Sequence, residues 1–154
     1  MERSIDELIE LLNDKDDFVV EDAVGELELR AEESLDPLIE ALSHRKKQIR
    51  LNAATLLGAI GDPKAIPYLI ETLRDNNKLV RREASTSLSR MGEPAVEPLI
   101  ETLDDEDWRV RGAAAWALGN LNDERAIPAL EKLLDDESGY VKQGAQSAIA
   151  SIKK

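Results

Sequence analysis

The chain of 154 residues has no cysteine and only one histidine, His44. Without cysteine there is neither a disulfide framework nor thiolate chemistry, and this pattern is typical of a cytoplasmic protein. Catalysis by a serine or cysteine nucleophile needs a positioned base, which a single histidine on a polar turn does not supply. The sequence therefore predicts a non-enzymatic protein with no metal and no cofactor.

Aromatic residues and long apolar runs are also scarce. Aromatic residues make up 3% of the chain and apolar residues 42%, so the core has to be built from alanine, leucine, isoleucine and valine. No apolar run approaches the roughly 18 residues of a membrane span, and the N-terminal residues lack the apolar stretch of a signal peptide. No membrane partner is expected.

Positive charge is scarce overall, and its distribution is uneven. The net charge is −12; residues 1–34 carry thirteen acidic and three basic residues, whereas residues 35–95 carry seven acidic and ten basic residues. Binding of nucleic acid needs clustered lysine and arginine, so a nucleic-acid partner is not expected for the whole chain. The basic cluster of the middle third is the local exception: Arg45, Lys46, Lys47, Arg50, Lys78, Arg81, Arg82 and Arg90.

What the chain does have is a repeat of about 30 residues, present five times. Apolar residues keep this spacing in several registers, of which two are Leu8, Leu38, Leu69, Leu99, Leu130 and Val19, Ile49, Val80, Val110, Val141. Such self-similarity predicts a solenoid, because one unit cannot bury its apolar face alone. We expect a single domain over residues 1–154, with repeats at approximately 4–33, 34–64, 65–94, 95–125 and 126–154.

The pattern of each unit predicts two helices joined by short turns. In the fourth unit, the apolar residues from Val96 to Leu103 are spaced i, i+3, i+4, i+7, which indicates an amphipathic helix. A polar turn follows, and Asp107 is well placed to cap the next helix. The same cap position holds Asp16, Asn77 and Ser138 in other units, and only Lys46 departs from the rule.

The pattern Asp-Glu-Asp-x-x-Val-Arg-x-Ala-Ala-x-x-Ala-Leu-Gly-x-Leu at residues 105–121, followed by Asp-Glu-Arg-Ala-Ile-Pro-Ala-Leu at 123–130, resembles HEAT repeats of the short subtype named after phycobilisome lyases. The whole chain is most similar to small archaeal HEAT-like proteins and to binding scaffolds derived from them. This resemblance implies an all-α, right-handed α-α superhelix of five helical hairpins. It also implies a concave face, formed by the second helices, that binds a protein or peptide.

HEAT repeats typically carry an aspartate and, six residues later, an arginine that together form a ladder between repeats. The resemblance assigns this structural role to Asp75 with Arg81 and to Asp105 with Arg111. The second unit has His44 in place of the aspartate that would precede Arg50. The ladder is therefore expected to weaken towards the N-terminus.

The candidate binding site centres on both tryptophans of the chain. Trp108, Gly112 and Trp116 are spaced i, i+4, i+8 and share one helical stripe, so the glycine is expected to leave a slot between two indoles. Tryptophan is enriched at interface hot spots, although both rings could instead pack onto neighbouring helices. The predicted concave-face residues are Trp108, Gly112, Trp116, Arg109, Tyr140, Gln143, Arg82, Thr86, Lys78, Leu51 and Thr55.

Three functions follow, in order of preference. The first is a non-enzymatic scaffold that binds a protein or peptide on the concave face. The second, implied by the resemblance, is an accessory subunit or a bilin-lyase-like protein that handles a small ligand. The third is a weak phosphate or nucleic-acid contact through the basic middle repeats. The chain is expected to be a monomer or to self-associate weakly. Self-association stays open because the last helix, Tyr140 to Ile152, is expected to lack a polar cap on its outer face, and the acidic first repeat could cover the basic ridge of another copy.

Overall fold

A computed structural model describes residues 2–154, and every regular element in that range is helical. The ten α-helices form five successive hairpins, so the prediction of an all-α solenoid is confirmed. None of these ten helices is both long and apolar enough to cross a bilayer. The helices are α1 (Ile5–Leu11), α2 (Asp17–Leu29), α3 (Ala31–Ala41), α4 (Lys47–Ile60), α5 (Ile66–Thr72), α6 (Lys78–Arg90), α7 (Val96–Thr102), α8 (Trp108–Leu121), α9 (Ile127–Lys132) and α10 (Gly139–Lys153).

The second helix of each hairpin starts at the predicted cap position. The side chains of Asp16, Asn77, Asp107 and Ser138 each accept a hydrogen bond from a backbone N–H in the first turn of their helix. Lys46, the exception, makes no such bond. Each of the four caps satisfies a donor that the helix itself leaves unpaired.

Short 3-10 turns lead into three of the first helices, at Pro63–Ala65, Glu93–Ala95 and Glu124–Ala126. A further 3-10 turn, Leu133–Asp135, follows α9. In contrast, α2 and α3 are separated by Arg30 alone. The Arg30 guanidinium donates to the backbone carbonyl of Arg3 at 2.7 Å and pairs with Glu26, so it fixes the N-terminal segment against α2.

The core runs through all five hairpins. The leucine register of the first helices is fully buried, and so is the alanine that lies four residues after the valine or isoleucine of each second helix. A small side chain at that position lets neighbouring second helices approach closely. The fully buried residues of these two registers are Leu8, Leu38, Leu69, Leu99, Leu130, Ala23, Ala53, Ala84, Ala114 and Ala145.

Two glycines mark the closest approaches between second helices. A Cβ atom at Gly58 would lie 2.4 Å from the Ser87 hydroxyl oxygen, and one at Gly119 would lie 3.0 Å from the Ala148 Cα atom. The Ser87 hydroxyl also donates to the carbonyl of Ala54 at 2.6 Å. These contacts join α4 to α6 and α8 to α10. The outward side chains of α4, α6, α8 and α10 therefore belong to one continuous surface, the second-helix face.

Candidate functional site

A groove of about 750 Å³ opens on the second-helix face between α6, α8 and α10. We call it the tryptophan groove, because both tryptophans of the chain line it. Its lining residues are Lys78, Arg81, Arg82, Ser85, Thr86, Trp108, Arg109, Ala113, Trp116 and Tyr140.

Three aromatic side chains form the apolar part of the groove. Trp108 and Trp116 are each 48% exposed and Tyr140 is 61% exposed. The rings of Trp108 and Tyr140 meet edge to face, with centroids 5.5 Å apart and an interplanar angle of 77°. Packing onto neighbouring helices therefore covers only about half of each indole, and the remaining surface is available to a ligand.

Gly112 has a different role from the one expected. A Cβ atom at this position would lie 2.5 Å from Cε1 of Tyr140, so the tyrosine ring already occupies the space above the glycine. The expectation of an open slot between the two indoles is wrong for this reason. The glycine instead allows a side chain of the next repeat to cross α8 and to reach the ring of Trp108.

Cationic side chains form the polar part of the groove, and no carboxylate lines it. Arg109 pairs with Asp107, with 3.2 Å between Nη2 and Oδ2, and this bond lowers the pKa of Asp107. Within residues 2–154, the side chains of Lys78, Arg81 and Arg82 form no ion pair. The groove is therefore a local positive site in a chain whose net charge is −12.

The predicted ladder runs between repeats, but its pairing differs from the expectation. Arg50 Nε donates to the carboxylate of Asp75 in the next repeat at 2.8 Å, and Arg111 Nε donates to Asp136 in the same way at 2.8 Å. Within its own repeat, each arginine donates to the backbone carbonyl six residues earlier. This bond needs only a backbone carbonyl, which histidine also has. The His44 carbonyl accepts from Arg50 at 2.9 Å, so the histidine does not interrupt the ladder.

Within residues 2–154, Arg81 is the ladder arginine that has no carboxylate partner, and Arg74 explains why. Arg74 forms a two-pronged ion pair with Asp105, the residue that Arg81 would otherwise meet in the next repeat. This pair raises the pKa of Arg74 and lowers that of Asp105. Arg81 keeps its bond to the carbonyl of Asp75, at 2.7 Å, and it is one of the residues that line the tryptophan groove.

Sequence reasoning overlooked Arg74, although the repeats contained the signal. The equivalent position holds Asn13, Ser43, Asp104 and Asp135 in the other four repeats, so the arginine is the exception. Ser85 was missed as well, and Arg81 was expected only in the ladder and in the basic cluster. A side chain that competes for a partner cannot be recognised from spacing alone, because the competition depends on three-dimensional distances.

The eleven predicted concave-face residues fall into three groups. Seven of the eleven line the tryptophan groove: Lys78, Arg82, Thr86, Trp108, Arg109, Trp116 and Tyr140. Gly112 and Gln143 line an adjoining depression of about 360 Å³, which shares Trp116 and Tyr140 with the groove. Leu51 and Thr55 lie on α4 outside both, and the Thr55 hydroxyl donates to Glu83 at 2.9 Å.

The chain belongs to the HEAT-repeat family. The family model described as HEAT repeats matches residues 5–88 and again residues 69–150, which together cover most of the chain. The resemblance inferred from the repeat pattern is therefore confirmed. No curated protein is significantly similar to the chain in sequence.

Solved structures show the same type of fold. The complex of CpcE and CpcF of phycocyanin lyase from Nostoc sp. PCC7120 is 25% identical, with a TM-score of 0.60, over 99% of this chain and 66% of that chain. YibA of Escherichia coli is 28% identical, with a TM-score of 0.62, over 98% of this chain and 59% of that chain. A designed armadillo repeat protein, 21% identical, has a TM-score of 0.50 over 94% of this chain and 80% of that chain.

Proposed function

We infer that the chain is a non-enzymatic scaffold that binds a segment of another protein in the tryptophan groove. One observation carries this proposal: three exposed aromatic rings adjoin four cationic side chains, and no carboxylate lines the site. Aromatic and arginine side chains supply most of the binding energy at protein interfaces. The HEAT-repeat fold is consistent with this role.

The groove also suits binding because contacts between the lining helices fix its shape in the absence of a partner. The Ser85 hydroxyl donates to the carbonyl of Ala113 at 3.0 Å and joins two of the lining helices, α6 and α8. The contact of Tyr140 with Gly112 and Trp108 joins α8 to α10. A preformed site loses little conformational entropy on binding, so affinity arises from contacts that already have the correct geometry.

The lining argues against chemistry in the same place. General acid–base catalysis most often uses histidine or a carboxylate within reach of the substrate, and neither type is among the described residues that line the groove. Its titratable groups are Lys78 and Tyr140. Residues 2–154 contain no cluster of three or more histidine, aspartate and glutamate side chains arranged for a metal ion. Support for a lyase-like role comes from the likeness to one chain of the CpcE–CpcF complex, and this chain spans 66% of that chain.

Single-stranded nucleic acid is the second candidate, because of one specific feature of the groove. Aromatic rings that can stack on bases, beside a cationic track for phosphates, are the usual elements of such sites. The net charge of −12 opposes the approach of a long polyanion. We therefore place a protein segment first, and salt dependence distinguishes the two: affinity for nucleic acid should fall steeply with salt.

The experiment is a selection of short random peptides on immobilised protein, followed by titration of individual binders. Because Trp108 and Trp116 are the only tryptophans, intrinsic fluorescence reports on the groove directly. We expect Trp116→Ala to weaken binding at least about thirtyfold, which corresponds to about 2 kcal/mol. The matched control is Tyr68→Ala on α5, because that ring has the same 48% exposure and lies outside the groove.

Two outcomes would contradict the proposal. One is a selection that yields no peptide whose binding changes tryptophan fluorescence. The other is a set of peptides that bind the folded Trp116→Ala variant as tightly as the original chain. Circular dichroism of both variants verifies that the helical fold is retained.

A further inference from the structure

We propose that the tryptophan groove of one copy binds the outer surface of α2 in a second copy of this chain. This inference rests on the proposed function, since it assigns an occupant to the same groove. Two exposed surfaces of the molecule complement each other in length and in charge.

The first surface is an exposed stripe along α2, which we call the Phe18 stripe. Phe18, Asp22, Gly25 and Leu29 follow each other at i, i+4, i+7 and i+11, so they lie on one side of the helix. Phe18 is 81% exposed and Leu29 is 89% exposed, the highest values among the large apolar side chains of residues 2–154. A Cβ atom at Gly25 would meet nothing within 4 Å, so the middle of the stripe is open to a partner.

Carboxylates flank the Phe18 stripe. Residues 1–34 carry thirteen acidic and three basic residues. Asp17 and Glu21, which flank the phenylalanine, form no ion pair within residues 2–154, whereas Asp22 pairs with Arg3 at 2.7 Å. The phenyl ring of Phe18 is therefore an exposed apolar group between carboxylates, and a cationic surface that carries aromatic rings can cover it.

The second surface, the tryptophan groove, has the opposite properties. Its cations Lys78, Arg81 and Arg82 form no ion pair within the same residue range, and no carboxylate lines it. Carboxylates beside Phe18 can therefore pair with cations that have no partner in their own chain. Complementary charge of this kind sets the orientation of two partners and speeds their encounter.

The dimensions of the two surfaces also agree. From Phe18 to Leu29 the stripe is about 16 Å long, at about 1.5 Å per helical residue. The groove extends across α6, α8 and α10, and packed helices lie about 8–10 Å apart. A phenyl ring can pack against the exposed surfaces of Trp108 and Trp116, each 48% exposed, where aromatic rings favour edge-to-face contact. The Phe18 stripe can thus span the groove from its cationic side to its aromatic side.

The contact joins two different surfaces, so it is heterologous. Each copy carries one stripe and one groove. Two copies form a closed dimer if both contacts are made at once; otherwise the assembly is an open chain. In either case the strength of assembly depends on both surfaces, and a change to either one should weaken it.

The experiment is sedimentation of the full chain over a range of concentrations up to about 1 mM, where contacts of millimolar affinity are still detected. We expect the mass to rise above the 17.1 kDa of the single chain. Phe18→Ser and Arg82→Glu should each weaken assembly at least about tenfold, since they remove an apolar anchor and reverse a groove charge. Their matched controls on α6 are Leu79→Ser and Arg90→Glu, because both side chains are exposed and lie outside the groove.

Mixing the two interface variants gives the decisive result. The Phe18→Ser chain keeps a normal groove and the Arg82→Glu chain keeps a normal stripe. An equal mixture should therefore form one-to-one dimers at concentrations where each variant alone remains a monomer. The environment of Trp108 and Trp116 changes in the same mixture, and fluorescence detects the change.

Three outcomes would overturn the inference: a chain that stays at 17.1 kDa throughout, a Phe18→Ser variant that assembles as well as the original chain, or a mixture of variants that stays monomeric. These results are distinct from a failure of the proposed function. If selected peptides bind the groove while the chain remains monomeric, the self-association fails and the protein-binding role stands.

Discussion

Replacing Arg111 by methionine is the sharpest test of how the repeats are held together. Its guanidinium donates to both carboxylate oxygens of Asp136, at 2.8 and 3.0 Å, and to the carbonyls of Asp105 and Glu106, at 2.8 and 3.0 Å. The Arg111 side chain is 15% exposed and that of Asp136 only 7%. One residue thus closes the turn between α7 and α8 and joins it to the last repeat.

The expected loss of stability follows from this burial. Removing one partner of a buried ion pair costs about 3–5 kcal/mol, because the other charge stays buried without compensation. The remaining exposure of Arg111 places the expectation at the lower end, about 3 kcal/mol. For a domain of this size, that corresponds to a decrease in Tm of about 10 °C. Asp136→Asn should cost a similar amount, and the double variant should cost less than the sum of the two single losses.

Urea and thermal unfolding followed by circular dichroism at 222 nm measure these losses. Arg109→Met on the same helix is the matched control, because Arg109 pairs with Asp107 at the surface and its side chain is 43% exposed. An exposed pair contributes about 0–1 kcal/mol. If Arg111→Met and Arg109→Met cost equal amounts, or if the double variant shows no coupling between Arg111 and Asp136, the ladder does not stabilise the stack.

Two further predictions concern close packing and acid. Gly58→Ala should destabilise the fold by up to about 2 kcal/mol, because overpacking costs about 1–3 kcal/mol and the gain in helix propensity offsets about 1 kcal/mol of it. Gly25→Ala, with open space around its Cβ, should stabilise the fold by about 1 kcal/mol in the same urea titration. A stabilising Gly58→Ala together with a destabilising Gly25→Ala would contradict this account of the packing. The bond to Arg111 lowers the pKa of Asp136 below its ordinary 3.8, so its stabilisation is complete above that pH and disappears as the pH falls through the lower folded value. Unfolding measured between about pH 5 and pH 2 should show this loss, and Asp136→Asn should flatten the profile; an unchanged profile would contradict it.

The fold could be predicted closely from the sequence because it depends on local signals. The 30-residue period places an apolar residue at the same point of every unit, and those residues are buried, as Leu38 and Leu99 show. The caps at Asp16 and Asp107 act within three residues of themselves. Solenoid repeats contact mainly their neighbours, so a pattern that repeats along the chain also repeats in space.

The candidate site was predictable only in part, for a physical reason. Seven of its residues follow from which positions of the second helices face outward. In contrast, the ring of Tyr140 above Gly112 and the capture of Asp105 by Arg74 depend on side chains that reach across repeats. Spacing along one helix does not contain these distances.

Local sequence patterns were enough to predict the all-α repeat architecture, the helix caps, the buried registers and the helix that presents both tryptophans. Three features became evident only from the stacked repeats: Arg81 has no carboxylate partner within residues 2–154, Tyr140 lies over Gly112, and the cations and indoles share one groove. Periodicity specifies which face of a helix is buried, because burial is shared by every repeat. The partner that each polar side chain selects depends on the competition among neighbours, which exists only after the repeats have stacked.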